Sequence, residues 1–198
     1  HAGRLLTIQQ KLNGASSYKT LVAHTYNNLG ELEVKTLGNG LESLTHKYNV
    51  RGWLESINKQ YVDNGTGGSF FGMELSYDFG FTEKQYNGNI AGIKWRSQGN
   101  SEIMAYGFDY DQTNRLLEAD YTQGTGWTQP QNFSTEYSYD ENGNIETLKR
   151  YGNVEGTSLL IDNLTYTYLN NDKSNQLAEV DDAAGDLGQT DFVDGNTS

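Results

Sequence analysis

A hydrolytic or metal-dependent site in this chain would have to draw on three histidines, His1, His24 and His46, and on acidic side chains gathered in short polar links. His24 and His46 each stand two residues before a tyrosine, Tyr26 and Tyr48, so one shared structural pattern accounts for both without invoking catalysis or metal ligation. No Gly-x-Ser-x-Gly sequence marks a nucleophile elbow. Closely spaced oxygen ligands in DENGN (140–144) and NNDKSN (170–175) raise calcium binding. The first has glycine fourth, where the EF-hand loop needs it sixth, and the second has none, so turn chemistry explains both. GTGG (65–68) is followed by no helix start that would cradle a phosphate. Trp53, Trp95 and Trp127, among 14 Tyr and 7 Phe, are the candidates for a sugar-stacking surface, weighed against packing within the fold. We therefore assign no catalytic, cofactor or metal residue.

The elements that carry these residues repeat. YNNLGELEV begins at Tyr26, YNVRGWLES at Tyr48, YDQTNRLLEA at Tyr110 and YDENGNIETL at Tyr139. Each has Asn or Asp next, Gly or Asn four on, and Leu or Ile six on: Gly30 and Leu32, Gly52 and Leu54, Asp111 and Leu116, Asp140, Gly143 and Ile145. A longer copy keeps Tyr77 and Asp78 and resumes at Gly88 and Ile90; another keeps Tyr168 and Leu177. HAGRLL reads as the second half of a further copy. Internal repetition at this period outweighs any isolated motif as a guide to fold.

Within a copy, large side chains recur every second residue, as in Met104, Tyr106, Phe108 and Tyr110, the period of a strand with one covered face. After each tyrosine comes a polar link in which Gly and Asn tolerate positive φ, and then a returning strand. NGTGG (64–68), SQGN (97–100) and TQGTGW (122–127) separate copies. With one proline and 23 glycines, helix is expected only in short connectors, and 177–187 reads as a strand end and a loop. The fold class expected is all-β: some thirteen strands in repeated antiparallel hairpins, a ladder roughly 60 Å wide. Only 35% of residues are hydrophobic and mean hydropathy is −0.73, too little to fill a sandwich of that size. A single curved spiral sheet with tyrosine ladders fits better.

These phrases resemble the bacterial RHS, or YD-repeat, proteins. GNGLES, YNVRGWLESIN, FGMELSYDFGF, QYNGNIAGIKWRS, DYDQTNRLLEADY and LTYTYLNNDKSNQLAEVDDA carry the resemblance across essentially the whole chain. It implies a large hollow shell of spiralling hairpins that encloses a C-terminal toxin or effector domain or is displayed at the cell surface. Its partners would be further RHS repeats and the C-terminal domain of the same polypeptide, and an outer-membrane secretion translocon or carrier protein. The localisation it implies is secreted or cell-surface. Self-cleaving shells of the family carry an Asp-Pro motif, whereas the one proline here, Pro130, stands in TQPQNF, so that activity is not assigned.

The charge of −12 and pI near 4.5 argue against nucleic acid or anionic membrane as partner. Cysteine is absent, which neither requires nor forbids an oxidising compartment. Both ends fall inside copies, so residues 1–198 are read as one repeat segment excerpted from a larger protein, with strand edges open to pairing. The expected function is a non-enzymatic structural segment of an RHS shell wall. The alternatives are a cell-surface adhesin or carbohydrate-binding repeat protein, and a hydrolase with converging carboxylates of perturbed pKa.

Overall fold

The computed structural model describes residues 3–100, 102–124, 126–127, 132–184 and 192. It is all-β, with thirteen strands antiparallel to their neighbours. The chain divides into two compact units, His1–Ser76 with Ile93–Ile103, and Tyr77–Gly92 with Met104–Ser198.

The first unit holds β1 (Thr7–Gln10), β2 (Lys19–Tyr26), β3 (Leu32–Leu37), β4 (Glu42–Tyr48), β5 (Leu54–Ile57), β6 (Phe71–Ser76) and all but the first residue of β7 (Gly92–Ser97). Hydrogen-bonded order follows chain order, as hairpins joined by short links require. A helical connector, α1 (Lys59–Asn64), joins β5 to β6 and ends at Gly65 in the left-handed region, φ 67°. Asn58, also left-handed at φ 48°, enters this connector. Its side chain accepts from Thr45 N–H at 2.8 Å and donates to the Phe71 carbonyl at 2.9 Å, tying β4 and β6 to the connector between them.

The second unit contains β8 (Met104–Tyr110), β9 (Leu116–Gln123), β10 (Thr135–Tyr139), β11 (Ile145–Val154), β12 (Thr157–Tyr168) and β13 (Leu177–Asp182), again in chain order. The 177–187 stretch read as a strand end and a loop therefore contributes β13, and residues 185–187 lie outside the described residues. The Leu169–Asp172 connector carries Asn170, Asn171 and Asp172 at φ between 53° and 60°, so it is a left-handed turn. Asn and Asp tolerate that region because their short polar side chains bond locally.

The apolar core is small. Val62 is the buried apolar side chain of the first unit among the described residues; Tyr77, Ala91, Ala105, Ala119, Tyr121, Ile161 and Leu164 are those of the second. Aromatic side chains do much of the remaining packing. Tyr106 meets Tyr121 edge-on at 5.3 Å, and Tyr121 meets Phe133 edge-on at 5.4 Å. Phe81, in the long loop after Tyr77, lies flat on the backbone at Gly92. A Cβ there would fall 2.4 Å from the ring, so only glycine seats it.

Candidate functional site: the tyrosine turn

The repeated tyrosines end strands. Tyr26 is the last residue of β2, Tyr48 of β4, Tyr110 of β8, Tyr139 of β10 and Tyr168 of β12; Tyr77 directly follows β6. Each strand-ending tyrosine pairs with the predicted aliphatic residue of the returning strand: Tyr26 with Leu32, Tyr48 with Leu54, Tyr110 with Leu116, Tyr139 with Ile145 and Tyr168 with Leu177. In all five the register shifts at the tyrosine, because the returning strand carries one extra residue.

The residue after the tyrosine builds the turn. In the four gap-free copies its N–H donates to the carbonyl four residues on, while its own carbonyl accepts from the N–H three residues on, at 2.9 to 3.1 Å. Its side-chain oxygen accepts from the N–H four residues on: Glu31 to Asn27 at 3.0 Å, Trp53 to Asn49 at 3.1 Å, Arg115 to Asp111 at 2.9 Å and Asn144 to Asp140 at 2.8 Å. Asn and Asp place an acceptor at that reach more strongly than Ser or Thr, which explains the residue type. The Gly or Asn at the third turn position after it sits at positive φ, from 67° at Asn114 to 89° at Gly143. A turn followed by one left-handed residue is a favoured short hairpin link, since its twist matches that of the strands.

The two extended copies depart from this geometry. The Tyr77 carbonyl accepts from Gln85 N–H at 2.7 Å, across the loop that holds Asp78, which is exposed. Asn87 then takes over as turn acceptor, bonded by Asn89 N–H at 3.0 Å, with Gly88 at φ 109°. In the last copy Tyr168 N–H donates to Asp172 at 2.6 Å.

Four of the repeat tyrosines clasp their hairpin to the preceding one through the hydroxyl. Tyr26 donates to the Leu5 carbonyl at 2.9 Å, Tyr110 to Ile90 at 2.9 Å, Tyr139 to Leu116 at 2.7 Å and Tyr168 to Ile145 at 2.9 Å. Each acceptor is the aliphatic position of the preceding copy, 20 to 23 residues earlier. Burial raises the pKa of Tyr110, Tyr139 and Tyr168, so each hydroxyl keeps its proton and remains a donor at neutral pH.

A second clasp comes from the residue just before that aliphatic position, which the sequence reading did not single out. Arg115 donates from Nη1 to the Asp140 carbonyl at 2.9 Å and lies over the Tyr139 ring at 4.7 Å. Arg4 lies over the Tyr26 ring at 5.6 Å and against Gly30, where a Cβ would collide with the guanidinium. Asn89 donates to Asn114 at 3.0 Å, and Asn144 to Asn175 at 3.0 Å. Arg or Asn directly before the aliphatic residue in four copies, at Arg4, Asn89, Arg115 and Asn144, was the available signal.

The carboxylates of the turns are already engaged. Burial alone would raise the Asp111 carboxyl, yet the Arg115 amide and guanidinium and the Thr113 hydroxyl and amide hold it well below the usual range. Asp140 is lowered against the same opposing burial by the Asn144 side chain and the turn N–H groups. A groove of about 350 Å³ beside it is lined by Asp140, Glu146, Thr165, Tyr166, Tyr168 and Asp172, among others. Among the described residues no three His, Cys, Asp or Glu side chains are placed to hold a metal.

His46 is kept largely neutral by burial, with Nδ1 3.0 Å from the Leu44 carbonyl, and His24 lies 6.4 Å from the Tyr26 ring. They stand on separate strands, β4 and β2. His1 and Pro130 lie outside the described residues. Trp53 stacks under Arg51 at 4.9 Å, Trp95 is half-buried in β7, and Trp127 is 43% exposed.

No family model matches the chain, and no curated protein does. Solved structures do. The crystal structure of TcdB2-TccC3-TEV aligns with 84% of this chain and 9% of its own at 14% identity, TM-score 0.45. A Photorhabdus luminescens Tc holotoxin pore with a TccC3 variant aligns at 15% identity and TM-score 0.46, again over 84% and 9%. The crystal structure of TcdB2-TccC3 aligns at 10% identity and TM-score 0.33, over 83% and 11%. The chain spans about a tenth of the length of the chains it matches.

Proposed function

We propose that this chain is a non-enzymatic wall segment of an RHS-type β-shell, one that encloses or carries another domain of the same polypeptide. The observation that carries the reading is the recurrent clasp: a tyrosine at the end of one hairpin donates to the aliphatic carbonyl of the hairpin before it, at Tyr26, Tyr110, Tyr139 and Tyr168. Such a device joins like units one after another and spends its polar groups on its own backbone, as a repeat array built from nearest-neighbour contacts requires. Under this reading Tyr26, Tyr48, Tyr77, Tyr110, Tyr139 and Tyr168, with their turn residues, are the structural residues of the repeat. The partners are further repeats and an enclosed C-terminal domain, the place of action is outside the cell or at its surface, and a secretion translocon or carrier delivers it.

Limited proteolysis of the intact protein tests this. The enclosed domain should resist cleavage until denaturant opens the wall, and a variant with Tyr110, Tyr139 and Tyr168 all changed to Phe should lose protection at lower denaturant. Cleavage of that domain at the rate of the wall's own exposed links would overturn the reading.

A second reading, a carbohydrate-binding adhesin, is favoured by Trp127 and Phe133, 43% and 50% exposed. Glycan-array binding that is lost in Phe133→Ala would support it over a purely structural wall.

A further inference from the structure

Of the four largest fully buried side chains among the described residues, Val62, Asp162, Ser56 and Ser76, three are polar. Asp162 is accounted for by Arg150 Nε, which it pairs with, and by Phe192 N–H at 2.9 Å. Ser56 and Ser76, 1% and 0% exposed, have hydroxyls with no hydrogen-bond partner in the structure. An unpaired buried hydroxyl costs about 1–3 kcal/mol, and native proteins rarely leave one without a partner or an ordered water.

The two serines share a sheet face. Ser56 of β5 pairs directly with Glu74 of β6, and Ser76 lies two residues beyond Glu74 on the same side of that strand. Diagonal neighbours of this kind have Cβ atoms somewhat closer than about 7–8 Å. Two hydroxyls reaching toward one another from that distance leave roughly the span of one water with a hydrogen bond at each end. Glu74, 3% exposed, adds a third polar group, its carboxylate held by Lys59 at 2.5 Å and Lys94 at 2.8 Å. Its Oε2 is the oxygen that Lys94 approaches, and it is buried, with lone-pair capacity beyond that one ion pair.

The charges decide what fits. Lys59 and Lys94 are balanced by Glu74 and by Asp63, which lies 3.2 Å from Lys59, so this cluster presents no net charge to attract an anion or a metal ion. We propose that the covered face of β5 and β6 is an internal hydration site, with an ordered water bound between the Ser56 and Ser76 hydroxyls and the Glu74 carboxylate. Three polar partners are what a buried water ordinarily has. The site is independent of the shell reading, since it needs only the β5–β6 pairing.

A high-resolution crystal structure of the protein tests the site without any substitution. Density for a water within hydrogen-bond reach of both hydroxyls is expected. A dry gap, a direct Ser56–Ser76 bond or an anion at that position would overturn the proposal. Ser56→Ala, Ser76→Ala and the double variant add an energetic test, with the unfolding equilibrium constant as readout. If one water serves both hydroxyls, the product of the two single effects should differ from the double effect by about three- to tenfold. Effects that multiply without coupling would reject the shared water. A melting temperature that climbs with chloride relative to an equal concentration of a bulky anion would replace it with an anion site.

Discussion

Replacing Tyr139 with Phe isolates one clasp. The ring, its stacking on Tyr137 at 6.4 Å and 16°, and the Arg115 guanidinium over its face are all retained; the hydroxyl bond to the Leu116 carbonyl at 2.7 Å is lost. A typical intramolecular hydrogen bond contributes about 1 kcal/mol net, and a carbonyl left unpaired in a half-buried setting moves the cost toward the upper part of the range, about 1.5 kcal/mol. The loss falls beside a short ladder, in which β9 and β10 pair at Thr135 with Ala119 and at Glu136 with Glu118, further links being the Arg115 contacts and the Tyr121 N–H bond to the Ser134 hydroxyl at 2.9 Å. The unfolding equilibrium constant should rise about five- to thirteenfold. Urea denaturation gives the size of the effect, and hydrogen exchange gives its location: amides of β9 and β10 should lose protection before those of β11 and β12, because coupling runs between neighbours. Tyr137→Phe is the control, since it keeps the ring stack and removes a hydroxyl with no corresponding clasp. If Tyr139→Phe stays within about 0.3 kcal/mol of the parent, or matches Tyr137→Phe, the clasp does not hold the hairpins and the argument built on it collapses.

Gly143→Ala should destabilise by about 1–2 kcal/mol, because φ of 89° disfavours any side chain; an unchanged melting curve would show that the turn relaxes to another form. Asp111 and Asp140 have lowered folded-state pKa values, so the stability they contribute is present above the unfolded carboxylate value of about 3.9 and is lost as pH falls through the folded values. Asp140→Asn should therefore flatten the acid limb of a stability–pH curve, and an unaltered limb would contradict the linkage. Glu118 shows the opposite sign. Burial, then Asp120, Glu136 and Asp109, raise its pKa, so its contribution is full below the unfolded value and is lost as pH rises through the folded one. Glu118→Gln should stabilise the protein at pH 7 by about 0.5 kcal/mol and lose that advantage in acid, as paired unfolding curves at the two pH values would reveal.

The turn was legible in the residues because its chemistry is confined to five of them. An Asp or Asn oxygen bonded by the N–H four residues on, and a left-handed Gly or Asn between, leave a fixed local spelling at Tyr26, Tyr48, Tyr110 and Tyr139. Strand alternation is equally local, which is why an all-β fold with about thirteen strands is legible in the residues alone. The clasps could not be read the same way. A tyrosine hydroxyl that finds a carbonyl 20 to 23 residues earlier uses an acceptor every residue possesses, so nothing in the acceptor's identity marks the pairing. Arg115 over Tyr139 depends on adjacent hairpins standing side by side, and the burial of Ser56, Ser76 and Glu74 on which strand faces are covered. Sequence period specifies which side of a strand a residue occupies; only the packed sheet decides which sides lose their water, because that depends on elements far away along the chain.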